Sequence, residues 1–251
     1  MEHIAVDIGG ISVRMRGLTG RDQLDLGAPA GAGRRLIGRL LHGTTVEGLS
    51  IAQRDRLAAA LWRHLFGDRI VASHRCSVCG KLFDIAFSLA ALTEALDQAE
   101  RPPEVEEVLA DGSARLVGGA EVRPVRGADE AEIESMAPAE AVAALRARAV
   151  RGGGIEDAAL DRVLAWLDPV IDTELAAGCP ECGAAHEIRF SMEHFLIRAL
   201  ESERGAVLRD VDVLARSYGW RLAEILGLSR LERRTLVAYA EAAAARGAVW
   251  S

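Results

Sequence analysis

Two Cys-x-x-Cys-Gly segments constrain this chain more than any other feature: Cys76-Ser-Val-Cys79-Gly80 and Cys179-Pro-Glu-Cys182-Gly183. They account for all four cysteines of its 251 residues. Two thiolates spaced this way can grip one ion from a tight turn. Glycine after the second cysteine lets the backbone reverse without a Cβ in the way. One pair supplies two ligands, and two pairs supply the four sulfurs of a closed tetrahedral site. The spacing therefore predicts one structural zinc ion per chain, bound by Cys76, Cys79, Cys179 and Cys182. Such an ion would clip a loop of roughly 100 residues, and its binding energy would add to folding. Two other readings stay open. The knuckles could be metal-free and held by packing and hydrogen bonds, or the cysteines could be redox pairs. A redox pair of the thioredoxin kind sits at the start of a helix, whereas the residues after each pair here alternate as in a strand. His74 and His186 lie near the pairs, each either a substitute ligand or polar surface.

The two segments belong to a longer repeat. Lys81-Leu-Phe-Asp-Ile85-Ala-Phe87-Ser88-Leu89 lies against Ala184-Ala-His-Glu-Ile188-Arg-Phe190-Ser191-Met192 at the same offset of 103 residues. Weaker matches lie upstream. Asp55-Arg-Leu-Ala-Ala-Ala-Leu-Trp62 is set against Asp161-Arg-Val-Leu-Ala-Trp166, and Val13-Arg-Met-Arg-Gly-Leu-Thr-Gly-Arg-Asp22 against Val122-Arg-Pro-Val-Arg-Gly-Ala-Asp129. The organisation read from this is a first knuckle unit over 1–100, a second over 101–200 that includes an acidic variable stretch, and a helical segment over 201–251.

Apolar periodicity gives an α+β fold, each unit contributing a helix and a knuckle hairpin. Strands are expected at His3–Gly9 and Ile11–Arg16 about a Gly9-Gly10 turn, with a Gly/Ala/Pro-rich linker over Gly27–Gly33 and a short helix over Arg34–His42. Ser50 caps a helix that runs through Phe66 and stops at Gly67. Strands flank each cysteine turn, because Phe83, Ile85 and Phe87 alternate with polar or small neighbours. A hairpin through Asp111-Gly112 joins 105–109 to 114–116. Helices cover Ala141–Val150 and Ile155–Leu167, the latter ended by Asp168-Pro169. From Glu193 onward the pattern is helical, and Ser229-Arg-Leu-Glu232 has capping-box spacing for a last helix.

Charge and composition narrow the function classes. The formal net charge of −7 opposes general attraction to phosphate backbones or acidic lipid, and aromatics at 4% supply few stacking platforms. No apolar run reaches membrane-spanning length, and the N-terminus lacks the pattern of an export signal, so membrane insertion is not expected and the expected location is the cytoplasm. Asp7-Ile-Gly9-Gly10 lacks the rest of a phosphate loop. Asp84 and Glu187 fall on the polar side of their strands, as a solvated face would. No three-part catalytic set or nucleophile elbow is present, so neither enzymatic activity nor a small-molecule substrate is expected. Arg230, Arg233 and Arg234 beside a short helix and turn would suit a zinc-ribbon-like or helix-turn-helix nucleic-acid adaptor, against which stand Asp210, Asp212, Glu224 and Glu232. Tyr218, Trp220 and Tyr239 are amphipathic anchors suited to a protein partner, or else close the domain's own core.

Leu208-Arg-Asp-Val-Asp-Val-Leu-Ala-Arg-Ser-Tyr218-Gly219-Trp220-Arg-Leu-Ala-Glu224-Ile225-Leu226-Gly-Leu228, followed by Arg233-Arg234 and Tyr239, resembles the end of the baseplate hub assembly proteins of T-even-like bacteriophages, a type also found in contractile injection gene clusters. Leu18-Thr19-Gly20-Arg21-Asp22, then Phe66-Gly67-Asp68-Arg69, then the two cysteine segments follow the order seen in that family, and the likeness spans most of residues 10–240. It implies a non-enzymatic assembly chaperone or minor component of a baseplate hub, acting through contacts with baseplate or hub proteins and incorporated, where retained, in a phage-tail-like particle. Tyr218, Trp220, Arg230, Arg233, Arg234 and Tyr239 are the expected partner-binding residues. Arg221 departs from the pattern: members carry a small polar residue there, which implies a weaker cap on the short helix that follows.

Overall fold

A computed structural model describes residues 3–8, 10–28 and 31–248. Gly9 of the expected turn and residues 29–30 of the expected linker lie outside this range. The fold is mixed α+β, and by packing the chain divides into two compact units, Met1–Gly43 with Glu193–Ser251, and Thr44–Met192. The 1–100, 101–200 and 201–251 division follows the sequence repeat instead. By packing, both knuckles fall within one unit.

In the unit built from the chain ends, His3–Ile8 and Ile11–Arg16 form an antiparallel hairpin, and Leu41–His42 adds a third strand on Met15 and Arg14. Val13 and Met15 alternate inward and are buried, as one face of a half-covered sheet requires. The short helix begins at Ala32, two residues before the expected start, because Gly31 takes a left-handed φ of 66° and turns the chain into it. It ends at Leu40, where the backbone becomes the third strand. Helices Arg204–Tyr218, Leu222–Gly227 and Arg230–Ala248 follow. Gly219, at φ 69°, closes the first of these in the left-handed conformation that helix ends favour.

In the middle unit, Ser50 caps Ile51–Phe66 as expected: its hydroxyl accepts from Gln53 N while Gln53 Oε1 accepts from Ser50 N. The 105–116 hairpin forms at Val105–Val108 and Ala114–Leu116, with Asp111 Oδ1 accepting from both the amide and the hydroxyl of Ser113. Two short strands beyond the sequence reading, Glu121–Val122 and Val150–Arg151, extend it to four strands. The acidic stretch is therefore built into a sheet. Its inner face, Val105, Ala114, Leu116, Ala120 and Val122, packs on Leu160 and Val163 of the helix Asp157–Leu167.

Each unit carries the same joint. In the first, Arg16 makes a bidentate pair with Asp22, whose carboxylate also accepts from Thr19 N. In the second, Arg123 makes a bidentate pair with Asp129, whose carboxylate accepts from Arg126 N. The equivalent residues are 107 apart, so the upstream repeat aligns Met15 with Val122, not Val13 with Val122 as read from sequence. Each joint then receives a serine-capped helix. Thr19 bridges Ser229, and Arg126 bridges Ser50. Gly20 N donates to Leu228 O, and Gly127 N donates to Leu49 O. Gly127 is needed because a Cβ there would run into the backbone at Val46 O, whereas one on Gly20 would lie 2.8 Å from the side-chain end Arg233 Nη1. Arg233 and Arg54, both buried, sit at matching places in the two helices; Arg233 meets Asp210 and Gln23, and Arg54 meets Glu130.

Candidate metal centre

The cysteines sit on two antiparallel hairpins, Arg69–Arg75 with Leu82–Ser88 and Asp172–Gly178 with Ala185–Ser191. Their turns are built alike. Cys76 N donates to Lys81 O and Gly80 N to Cys76 O; Cys179 N donates to Ala184 O and Gly183 N to Cys179 O. Gly80 and Gly183 have φ of 73° and 74°, a conformation that a Cβ would strain. Each turn thereby presents two sulfurs on one side. After each hairpin the same offset continues: Leu89 N donates to Asp68 O, and Met192 N to Ile171 O.

The hairpins stack by their inner faces. Phe83, Cys76 and Cys179 are buried there, packed against Ile85, Ala177, Ala184 and Ile188. Phe87 meets its repeat partner Phe190 edge to face, with centroids 5.0 Å apart. Cys76 Sγ lies 3.6 Å from Cys182 Sγ, and Cys79 Sγ lies 3.8 Å from Cys179 Sγ. Exchanging the two repeats turns the first contact into the second, which is the signature of a local two-fold relation.

All four ligand atoms lie within 4.8 Å of one another. A tetrahedral ion with metal–sulfur bonds of about 2.3 Å has sulfur–sulfur edges of about 3.8 Å. The cross-hairpin distances match that edge, so the cluster is positioned to hold one metal ion jointly, as a structural zinc site does. The electrostatics point the same way. The Cys79 amide hydrogen bond, outweighing desolvation and helped by Val78 N and His186, pulls the Cys76 thiol down to about 5. At Cys182 the Ala184 amide favours the thiolate, but desolvation and the surrounding sulfurs of Cys76, Cys79 and Cys179 push the thiol up to about 12. Four sulfurs this close cannot all ionise beside one another; a divalent cation removes that conflict. Four thiolates also fill a tetrahedral ion, leaving no position for water or substrate. Each pair is followed by a strand and no helix begins at it, so the helix-start setting of a thioredoxin-like pair is not built here.

His186 corrects the expectation of a polar-surface residue. It is half-buried, its Nε2 is 3.2 Å from Cys76 Sγ, and its ring packs against His74 and Phe83. It supports a ligand from behind, as outer-layer partners of metal sites do. Its place on the inward register of the strand, opposite Ala177, carried that signal in the sequence. Asp84 and Glu187 are exposed, as expected.

The structure divides the expected partner-binding residues. Tyr218 and Trp220 stack on each other with centroids 5.0 Å apart and are exposed, as is Tyr239. Arg233 is corrected: it is 1% exposed and holds Asp210 and Gln23, so it is an internal strut and offers nothing to a partner. Arg230 is bonded to Glu203 and mostly covered, and Arg234 reaches the same carboxylate from a more exposed position. At Arg221 the expected weak cap is compensated: Glu224 accepts from Arg221 N at 2.7 Å, so the cap is made from the helix side. Among the described residues, no helix is long and apolar enough to cross a membrane. Comparison with protein-family models, curated proteins and solved structures finds no match to this chain.

Proposed function

We propose that this protein is a non-enzymatic assembly factor or minor component of a contractile-tail or injection-system baseplate hub, working by protein–protein contact with a zinc ion as an internal staple. The motif order described above suggests the machine. The observation that carries the mode of action is the coordination set: four sulfurs close the site and leave the metal a purely structural task. The stacked, exposed pair of Tyr218 and Trp220 supports a contact surface at the tail of the chain, since amphipathic aromatics in a rigid pair lose little freedom on docking. The nucleic-acid alternative loses its main support, because Arg230, Arg233 and Arg234 are engaged with Glu203, Asp210 and Gln23.

The test is co-expression of the tagged chain with the proteins of a contractile-system gene cluster. A baseplate or hub protein should co-purify, and Trp220→Ala should lose it while zinc content and fold are retained. Isolation of the chain alone under those conditions counts against the reading. Salt-sensitive retardation of DNA or RNA would favour the alternative.

A further inference from the structure

The stacked hairpins share the centre of their inward face and differ over much of their outward one. Inward, Ile85 repeats as Ile188, Phe87 as Phe190 and cysteine as cysteine, while Phe83 corresponds to His186 and His74 to Ala177. Outward, Asp84 and Glu187 are alike and Ala86 corresponds to Arg189, but five other exposed positions are larger, more apolar or more basic on the first hairpin. Arg75 corresponds to Gly178, Leu82 to Ala185, Val78 to Glu181, Ser73 to Ala176 and Val71 to Glu174. The first hairpin thus presents large apolar side chains, with Val78 72% and Leu82 62% exposed, next to Arg75 and Lys81, the chain's only lysine. The second presents an open hollow lined by Ala176, Gly178, Gly183, Ala185 and Glu187, and also by Ala177 and His186 of the strands that form it. Arg189 pairs with Asp172 and faces Glu174 across the strands, and with one cation against four carboxylates that face stays acidic through Glu181 and Glu187.

One outer face is protruding and apolar, with Arg69, Arg75 and Lys81 outnumbering Asp84; the other is hollow and small-residue, with Asp172, Glu174, Glu181 and Glu187 outnumbering Arg189. We propose that the outer face of the first knuckle hairpin docks onto the outer face of the second knuckle hairpin of another copy of this chain. The occupant follows from charge and shape together. Each face lacks what the other supplies, and both are present in every copy. Leu82 and Val78 enter the Ala176–Ala185 hollow, while Lys81 and Arg75 meet Glu187 and Glu181. Because the two faces are different patches, the contact is head-to-tail and propagates into a ring or a filament, unlike an isologous dimer. It needs no baseplate partner.

The test is sedimentation of the zinc-loaded full chain over a concentration series, at low and raised salt. The average mass should rise above the 26.8 kDa monomer with concentration, and less so at raised salt. Val78→Glu with Lys81→Glu makes both faces acidic, and Glu181→Lys with Glu187→Lys makes both basic. Each double variant alone should associate roughly tenfold more weakly or worse, and an equimolar mixture of the two should recover association. Zinc content and circular dichroism confirm that each variant is folded. Ala185→Trp, which fills the hollow and leaves charge unchanged, should also abolish association. A wild-type chain that stays monomeric throughout, variants that associate like wild type, or a mixture that fails to recover would each overturn the proposal.

Discussion

Stripping the metal is the perturbation whose size the structure fixes best. Without the ion, the hairpins hold together through a small apolar layer: buried Phe83, half-buried Ile85, Ala177, Ala184 and Ile188, and the Phe87–Phe190 contact. The ion ties Cys79 to Cys179 across a loop of about 100 residues, for which chain-entropy reasoning gives a stabilisation of about 4.7 kcal/mol. All four ligands lie in the unit Thr44–Met192. For a unit of that size each kcal/mol moves the melting temperature by roughly 2–4 °C, so the loss should be roughly 10–20 °C. The assay is scanning calorimetry of native protein before and after chelation, with elemental analysis of both samples. One zinc per chain is expected at the start, none after treatment, and recovery of the original melt when zinc is returned. Native protein without metal, or metal fully removed with no change in melting, would refute the reasoning. The first result would mean the sulfurs are held by packing alone, the second that the ion ties nothing the fold does not already tie.

Three further outcomes follow from the joints. Gly127→Ala should destabilise by about 1–3 kcal/mol in chemical denaturation, more than Gly20→Ala, because the new methyl meets the backbone at Val46 O in one case and movable side-chain ends of Arg233 and Leu226 in the other. Arg233→Ala should cost about 3–5 kcal/mol, since it strips the partner from Asp210, whereas Arg234→Ala should cost about 1 kcal/mol or less. Asp129 is held below the ordinary carboxylate range, by Arg123 first and by Arg126 N, with burial opposing. Its folded value lies below its unfolded one, so its contribution is present above the unfolded pKa and fades as pH falls through the folded value. Asp129→Asn should therefore lower stability at neutral pH, and the gap to wild type should close in acid below the ordinary aspartate range.

How much of this was legible depended on whether equivalent residues kept a constant spacing. The knuckles did. Cysteine, glycine, isoleucine and phenylalanine recur at 103, and the turn, the strands and the stacked face all follow from that segment. The α+β class, the Ser50 cap and the Asp111-Gly112 turn were also readable, because the cap and the turn each rest on a local bond between near neighbours. The Arg16–Asp22 and Arg123–Asp129 pairs were visible only faintly, since their intervening residues differ and the true register is two residues from the one that matches valine with valine. Nothing in periodicity marks a salt bridge six residues long.

The joint's other half escaped for a deeper reason. Leu49-Ser50-Ile-Ala-Gln53-Arg54 and Leu228-Ser229-Arg-Leu-Glu232-Arg233 are equivalent, each a serine-capped helix start with a buried arginine one turn in. Their separation is 179 residues, which fits neither 103 nor 107. The early strand–helix segment at Arg16–Gln23 takes the late helix at Ser229, and the later strand–helix segment at Arg123–Glu130 takes the earlier helix at Ser50. The partners are nested, so no scan at a single offset can find them. Nesting also explains why packing cuts the chain at 43 and 193 while the repeat cuts it near 100 and 200. The outer pair of partners joins the two ends of the chain into one unit, and the inner pair stays with both knuckles. That leaves the two cysteine pairs in the same compact unit, so they need not cross a boundary between units to share an ion.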